Sequence, residues 1–480
     1  MPEQSAILES STGWLLLILF SGVWISLGIL WGRKAKTLDG YMLAGRNVGL
    51  ALGSATAMAT WVTSNTTMLA PQFALELGIW GMLAYSTASI GLFLFAPMAK
   101  RIKKLMPKGM TSGDFMRLRY GKAVWITFLF ISIFYSVTWM ISMAMAGGLL
   151  LKALAGIPYI YGMTIILVVC VVYTLVGGLY AVIGTDYIQS VIIVLGIVVV
   201  GFSVLMQIDI EAVYGYLEGN SPALISIFVP FSIMALFNNL LFGVGEIFHS
   251  NVWWSRAFAM SEGVGKKAYL LAGLFWLPIP VSAGFIALTG GVMGINVVRP
   301  DMIGPLVSAN ILGYFGAIVV FIVVFSSIAS SIDSLLAATS DLITKDFYHK
   351  LFKPKAGEKE LKSASAYIIV IIGIITWLIC LPNIGTLAQV LFFAGPLVGS
   401  TIWPILAGLY WRKANSRAAL IGMIAGITGG LIVYQTVGWY AASIVGTAIS
   451  MIIVVAGRYI SPDSFSWKNL DESQPEASRV

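Results

Sequence analysis

Long apolar segments constrain this chain more than any other feature of its sequence. Of the 480 residues, 58% are hydrophobic and only 10% are charged, whereas a soluble domain carries about 25% charged residues. A helix that spans a membrane needs about 20 apolar residues. We find thirteen such segments, at 13–31, 49–75, 79–99, 123–151, 159–178, 185–206, 222–245, 267–290, 309–340, 364–382, 384–411, 416–436 and 437–457. The sequence therefore predicts an all-α polytopic membrane protein and excludes a water-soluble enzyme.

The positions of lysine and arginine predict how these helices are oriented. If the N-terminus lies outside, 27 of the 29 basic residues fall in inside connections, and only Lys152 and Arg299 lie outside. Cytoplasmic loops are enriched in basic residues, so we predict an outside N-terminus and an inside C-terminus, in a plasma membrane or bacterial inner membrane. This asymmetry accounts for the net charge of +8. We expect the lipid bilayer as a partner, no nucleic acid and no obligatory protein partner.

Two of the predicted spans contain residues that interrupt helices. The second span packs seven Ser, Thr and Asn residues between positions 56 and 67 and ends at Pro71, and the seventh carries FNNLLFGVGE at 237–246. Short polar and β-branched side chains compete with helical hydrogen bonding. Because the two spans are five apart, the pair favours a transporter with inverted repeats. Close packing of helices through small residues is the alternative for either segment alone.

A stripe of serines lies in the ninth predicted span. It consists of Ser326, Ser327, Ser330, Ser331 and Ser334. Spacings of three and four residues place them on one helix face, where hydroxyl and carbonyl oxygens suit a small hard cation; packing against a neighbouring helix is the alternative. Asp333 lies in the same helix and Asp186 starts the sixth span. Acids inside membrane helices indicate a functional role.

No arrangement typical of an enzyme accompanies these features. The two histidines, His249 and His349, are far apart, and the sequence lacks paired His/Cys metal spacing, a nucleophile elbow and a phosphate loop. We therefore expect a protein that is not an enzyme. A channel, for which a repeated pore or filter motif is expected, and a sensor with a transporter fold are remote alternatives.

Several motifs in the chain resemble those of the sodium/solute symporter family. They are GRNVG (45–49), GGLYAVIGTDYIQ (177–189), RAFA (256–259), SSIASSIDS (326–334), ITKDFY (343–348) and YWRKANSRAALIGMIAG (410–426). The resemblance implies a five-plus-five inverted-repeat core and Na⁺-coupled import of a small solute by alternating access. The expected divisions are an N-terminal helix and basic loop (1–48), two repeats (49–206 and 222–411), two C-terminal helices (412–460) and a disordered cytoplasmic tail (461–480).

The resemblance also implies where the coupling ion binds. A sodium site is expected at the carbonyls of Ala59, Val62 and Ser327 and the hydroxyls of Ser330 and Ser331. A second site for Na⁺ or H⁺ is expected at Asp186, Ser330, Asp333 and Ser334. Asp333 departs from the family, in which this position is usually polar and neutral, and it could strengthen a cation site or carry a proton.

The substrate is expected in a central cavity lined by amides, hydroxyls and aromatic rings. The candidates are Trp61, Thr63, Asn65, Thr66, Asn238, Asn239, Phe242, Phe392 and Phe393. Since no Arg or Lys is expected at mid-depth, anions are disfavoured. The stretches ATWVTSNTT (59–67) and FGVGEIFHSNVWWSRAFA (242–259) look most similar to the urea active-transporter branch. Urea or a urea-like neutral compound is the leading substrate; an amino acid, a sugar or a monocarboxylate is the alternative.

Overall fold

The computed structural model describes residues 6–295, 297 and 299–471, and over these residues it consists of helices and loops. The α-helices are α1 (Ser10–Gly32), α2 (Leu38–Leu43), α3 (Leu50–Trp61), α4 (Ser64–Leu77), α5 (Ile79–Ser86), α6 (Ser89–Leu105), α7 (Ser112–Tyr120), α8 (Lys122–Ala155), α9 (Tyr159–Gln207), α10 (Ile210–Asn220), α11 (Pro230–His249), α12 (Asn251–Ala259), α13 (Val264–Trp276), α14 (Pro278–Thr289), α15 (Ile303–Leu342), α16 (Glu358–Cys380), α17 (Leu387–Phe392), α18 (Gly395–Tyr410), α19 (Ser416–Thr436) and α20 (Trp439–Ile460). A π-helical stretch, Ile343–Phe352, continues α15.

The predicted apolar segments all coincide with helices, although not one to one. Within the described residues, eleven helical units are long and apolar enough to cross a membrane. The 49-residue α9 would measure about 74 Å if straight, more than twice the ~30 Å hydrocarbon core. Gly178 interrupts it at φ 53° and ψ −143°, so α9 contains both the fifth and the sixth predicted spans. The number of crossings and their orientation stay predictions.

The break predicted in the second span is confirmed. Helix α3 ends at Trp61, and Val62 and Thr63 leave the helical region, with ψ angles of 88° and 172°. Thr63 then caps α4: its hydroxyl accepts a hydrogen bond from the Thr66 amide, while the Thr66 hydroxyl accepts one from the Thr63 amide. This reciprocal cap satisfies the amides that the break leaves free.

The predicted position of the second helix break, within FNNLLFGVGE, was wrong. Helix α11 runs without interruption from Pro230 to His249, and the chain leaves the helical region at Ser250, with φ −67° and ψ 129°. The glycines in this stretch serve close packing instead: a Cβ on Gly243 would lie 2.7 Å from Ala88, and one on Gly245 would lie 2.6 Å from the Val398 carbonyl oxygen. The Ser250 side chain caps the start of α12.

Helix α15 lies at the centre of the helical assembly. It packs against α8, α9 and α3, and every side chain from 323 to 342 is buried. A helix that is buried on all faces meets neighbours on all of them. The serine stripe therefore faces other helices rather than lipid.

The predicted disorder of the tail at 461–480 does not hold for its described part, 461–471. Phe465 lies 4.2 Å from the Arg119 guanidinium and Trp467 lies 4.8 Å from that of Arg101. Asp463 accepts hydrogen bonds from the backbone and side chain of Ser416. Aromatic residues in this otherwise polar stretch dock it by stacking on arginines. Residues 472–480 lie outside the described residues.

Candidate functional site

The break between α3 and α4 exposes carbonyl groups in the centre of the protein. The Thr63 amide, which would close the helical bond of the Ala59 carbonyl, donates instead to the Thr66 hydroxyl at 3.2 Å. The Trp61 carbonyl is occupied, since it accepts from Trp276 Nε1 at 2.7 Å. The last carbonyls of a helix have no partner within that helix. The predicted ligands Ala59 and Val62 thus lie at a helix end whose carbonyls are available to a cation.

The serine stripe of α15 lies directly against this helix end. The Ser331 hydroxyl donates to the Thr60 carbonyl at 3.3 Å and to the Ser327 carbonyl at 2.9 Å. The fold therefore brings the serine stripe into contact with the end of α3, where two of the predicted sodium ligands lie. Ser330 differs, because its hydroxyl donates to Asp186 Oδ1 at 2.5 Å.

Asp186 is fully buried and forms an ion pair that the sequence reading missed. Its Oδ2 lies 3.2 Å from Arg256 Nη2 and accepts a hydrogen bond from Thr56 at 2.5 Å. Together with the bond from Ser330, this satisfies both carboxylate oxygens. Arg256 was counted among the inside-loop charges, yet it has no exposed surface, so its assignment to a solvent-exposed loop is wrong.

Helix α12 places Arg256 in this network. The guanidinium donates to Thr60 at 2.7 Å and to Ser334 at 2.6 Å, and α12 is tied to the chain before α3 by a bond from the Val48 amide to the Ala259 carbonyl at 3.1 Å. The signal in the sequence was the apolar context of Arg256, WWSRAFAM at 253–260.

Each residue predicted for a second cation site already makes a hydrogen bond within the protein. Arg256 bonds both Asp186 and Ser334, so a positive charge of the protein already lies between them. Asp333 bonds α9 at a different residue: its Oδ2 accepts from Tyr173 at 2.7 Å, and its Oδ1 has no hydrogen-bond partner among the described residues. The serines of the stripe bond residues on different helices, which their spacing in the sequence did not reveal.

Trp61, at the break, is surrounded by other tryptophans. Its ring centroid lies 5.9 Å from Trp139, 5.4 Å from Trp253 and 5.7 Å from Trp276. Its indole Nε1 is buried and has no partner among the described residues. An aromatic body with an unused N–H donor suits a ligand that is both flat and polar.

Two polar residues that sequence reasoning did not select lie beside this cluster. Glu246 accepts a hydrogen bond from Trp253 Nε1 at 3.2 Å, and His249, one turn further along α11, donates from Nδ1 to the Gly245 carbonyl at 2.8 Å. Both residues have no exposed surface. Their signal was an acid and a histidine in the apolar run GVGEIFH, 243–249.

The remaining predicted substrate residues divide into separate groups. Asn65 accepts a bond from Ser142, Asn239 donates to the Ala84 carbonyl, and Asn238 accepts from the Ser443 amide. These amides connect helices. Thr63 and Thr66 form the cap of α4. Phe242 and Phe392 are 4.9 Å apart in one cluster, whereas Phe393 packs on Phe134 and Tyr434.

The sequence matches the model of the sodium:solute symporter family over residues 41–426. A urea-proton symporter, DUR3, of Oryza sativa subsp. japonica is 26% identical over 447 residues, which cover 84% of this chain and 61% of that protein. The osmoregulated proline transporter OpuE of Bacillus subtilis is 26% identical over 88% of this chain and 90% of its own length. The chain thus spans less than two thirds of the DUR3 sequence. These relatives come from a plant and from a bacterium, which is consistent with the predicted location in a plasma membrane or a bacterial inner membrane.

The fold is shared with solved transporters. A Na⁺-coupled sialic acid symporter, in a substrate-bound outward-open state, superposes with a TM-score of 0.79 at 16% identity and covers 94% of this chain and 99% of that one. Mhp1, a nucleobase-cation-symport-1 family transporter in a closed conformation, superposes with a TM-score of 0.53 at 15% identity and covers 89% and 96%. These likenesses confirm the predicted fold class. Because the family model spans most of the chain, the protein belongs to the sodium:solute symporter family.

Proposed function

We propose that the protein is a Na⁺-coupled secondary active symporter that imports a small polar solute by alternating access, with urea or a urea-like neutral compound as the leading substrate. The observation that carries the proposal is the contact between the broken helix and the serine stripe, Ser331 Oγ to the Thr60 carbonyl at 3.3 Å. This contact supports the proposal because it joins the two elements expected to carry the sodium ligands, the end of α3 and the serine stripe of α15, beside Trp61.

The arrangement suggests how ion and solute are coupled. Na⁺ that binds the carbonyls of Ala59, Val62 and Ser327 and the hydroxyls of Ser330 and Ser331 joins α3 to α15. This join fixes the C-terminal end of α3, on which Trp61 lies, and so orders one wall of the solute cavity. Linkage requires that the solute strengthen Na⁺ binding by the same factor, worth about 1–3 kcal/mol.

Aromatic side chains provide a route for closing the cavity. Phe392 contacts Phe242, Phe73 and Trp439 at centroid distances between 4.8 and 5.6 Å, whereas Trp61 lies in the tryptophan cluster. We infer that closure involves the Phe392 cluster above the solute, and that Phe393, which faces α8 and α19, has no direct part in it.

Uptake of labelled urea into proteoliposomes tests the function. Under an inward Na⁺ gradient we expect accumulation above equilibrium, and none under a matched K⁺ gradient. Absence of Na⁺-driven urea uptake would overturn urea as the substrate; saturable uptake of proline or another neutral solute under the same gradient would then identify the alternative. Uptake that neither saturates nor follows an ion gradient would indicate a channel.

A second coupling ion, H⁺, is favoured by one observation. Asp333 is fully buried, and its Oδ1 has no partner among the described residues; a buried negative charge that is only partly hydrogen-bonded is costly. If Asp333 carries the coupling proton, Asp333→Asn abolishes uptake driven by a pH gradient and leaves the Na⁺ concentration dependence unchanged. Unaltered uptake under both gradients would remove Asp333 from coupling.

A further inference from the structure

Glu246 is a buried acid that forms no ion pair among the described residues. Its Oε1 accepts a hydrogen bond from Trp253, and its Oε2 has no partner within the described part of the chain. Burial of a lone carboxylate costs several kcal/mol, so a group held in this way is expected to serve a ligand.

Six side chains, one of them Glu246, are linked by successive contacts into a circuit that we call the Glu246 ring. Its members are Trp61, Tyr135, Trp139, Glu246, His249 and Trp253. Successive contacts close the circle: Trp61 to Trp139 at 5.9 Å, Trp139 to Tyr135 at 5.8 Å, Tyr135 to His249 at 4.9 Å, His249 to Glu246 one turn away on α11, Glu246 to Trp253 at 3.2 Å and Trp253 to Trp61 at 5.4 Å. The ring therefore connects the helix break of α3 to α8, α11 and α12.

The unused polar atoms of the ring define a hydrogen-bonding pattern. The Gly245 carbonyl only accepts, so His249 Nδ1, at 2.8 Å from it, carries the proton. The neutral imidazole then presents Nε2 as an acceptor. His249 Nε2, Glu246 Oε2 and Trp61 Nε1 all lack partners among the described residues. The ring thus contains two acceptors and one donor that are buried and available for hydrogen bonds to a ligand.

We propose that the Glu246 ring binds a small, neutral, planar solute that presents N–H groups to Glu246 and His249 and a carbonyl oxygen to the Trp61 indole, as urea and primary amides do. This rests on the proposed solute symport and names its substrate class. Each orphaned group acquires a partner of the opposite kind, and the aromatic surfaces cover the flat faces of the solute.

The same pattern argues against other solutes. A carboxylate brings a second negative charge against Glu246, and like charges at close range in a buried site repel strongly. Guanidinium supplies N–H donors for the two acceptors and a counter-charge for Glu246, but it has no acceptor for the Trp61 N–H, which remains unsatisfied at a cost of about 1–3 kcal/mol; it therefore reports on the Trp61 donor alone.

Direct binding to the purified, full-length protein in detergent tests the selectivity. Labelled urea is displaced by unlabelled urea, acetamide, guanidinium and acetate, all of similar size, in the presence of Na⁺. We expect acetamide to compete comparably with urea, and acetate to compete at least about tenfold more weakly, since acetate offers no N–H donor to the two acceptors and brings a like charge against Glu246. Acetate that competes as well as acetamide would overturn the proposal.

Variants of the ring locate the binding. Glu246→Gln replaces one acceptor by an N–H donor and is expected to weaken urea binding at least about tenfold; Glu211→Gln, at an exposed position in α10, is the matched control and leaves it unchanged. Unchanged binding in Glu246→Gln contradicts the proposal. Should Glu246→Gln fail to elute as a single species in size-exclusion chromatography, Trp61→Phe keeps a large ring but removes the donor, and must selectively weaken urea relative to guanidinium.

The two proposals fail in different ways. N–H-selective binding that depends on Glu246, without Na⁺-driven uptake, overturns the symport function and leaves the ring assignment standing. Na⁺-driven urea uptake that is unaltered in both Glu246→Gln and Trp61→Phe overturns the ring assignment and leaves symport standing.

Discussion

Asp186 and Glu246 are both fully buried acids in the helical core, but their surroundings are opposite. Asp186 is paired with Arg256 and satisfied at both oxygens by Thr56, Ser330 and the guanidinium. Glu246 accepts one indole N–H and forms no ion pair within the part of the chain that the structure describes. The difference indicates that the first acid is part of the structure that holds α3, α9, α12 and α15 together, whereas the second is kept available for a ligand.

The largest effect is expected from Arg256→Met. It leaves Asp186 without its counter-charge, and breaking a buried ion pair by removing one partner costs about 3–5 kcal/mol. We expect a strong fall in thermal stability in detergent, together with loss of uptake. The Asp186→Asn, Arg256→Met double variant removes both charges and is expected to recover much of the loss. If Arg256→Met by itself were as stable as the wild type, Asp186 would have no greater structural role than Glu246.

Ser331→Ala tests whether Na⁺ binds at the serine stripe, which lies next to Asp186. Loss of one ligand hydroxyl is expected to raise the Na⁺ concentration for half-maximal uptake about tenfold, equal to about 1.4 kcal/mol, with little change in urea binding at saturating Na⁺. The control is Ser203→Ala, whose exposed hydroxyl bonds only its own helix at Val199. An unchanged Na⁺ dependence would show that the sodium site is elsewhere.

Asp114 extends the comparison to a paired acid outside the membrane. Burial by itself raises the pKa of Asp114, but the Lys350 ammonium beside it outweighs burial and holds this pKa below its usual range. Its stabilising contribution is therefore present above the usual carboxyl range and is lost as the pH falls through the lowered pKa. We expect Asp114→Asn to cost about 1–2 kcal/mol at neutral pH.

Unfolding curves of the wild type and of Asp114→Asn, recorded between neutral and strongly acidic pH, check this. They are expected to differ at neutral pH and to converge in acid. A difference that grows as the pH falls would contradict the assignment of the Lys350 pair.

The smallest effect on stability is expected from Glu246→Gln. No cation is left unpaired by this change, so we expect the free energy of unfolding to shift by less than about 1 kcal/mol, or to rise. Unfolding of Glu246→Gln, measured in parallel with that of Arg256→Met, directly compares how much the two acids contribute to stability. Destabilisation equal to that of Arg256→Met would mean that Glu246 is a structural acid as well.

The sequence alone was sufficient where one local property decides the outcome. Apolar length predicts the helices, because lipid leaves helices and closed barrels as the structures able to span it. The run of Thr, Ser and Asn after Trp61 predicted the break, because these side chains compete with helical hydrogen bonds. In α11 the prediction of a break from Gly243 and Gly245 was wrong. These glycines allow close contact with Ala88 and Val398, which are distant in sequence, and only the tertiary structure shows those contacts.

Pairing across the fold was decided by tertiary structure alone. Spacing placed Asp333 and Ser334 on the same helix as the serine stripe, but it carried no information on which neighbour each one faces. Arg256 read as a loop charge because positive residues near helix ends usually lie at the membrane surface. Only the packing of α12 against α3 brings it to Asp186. What a side chain is follows from the sequence; which charge it meets depends on helices more than 60 residues away along the chain, because a buried charge is stable only beside its partner.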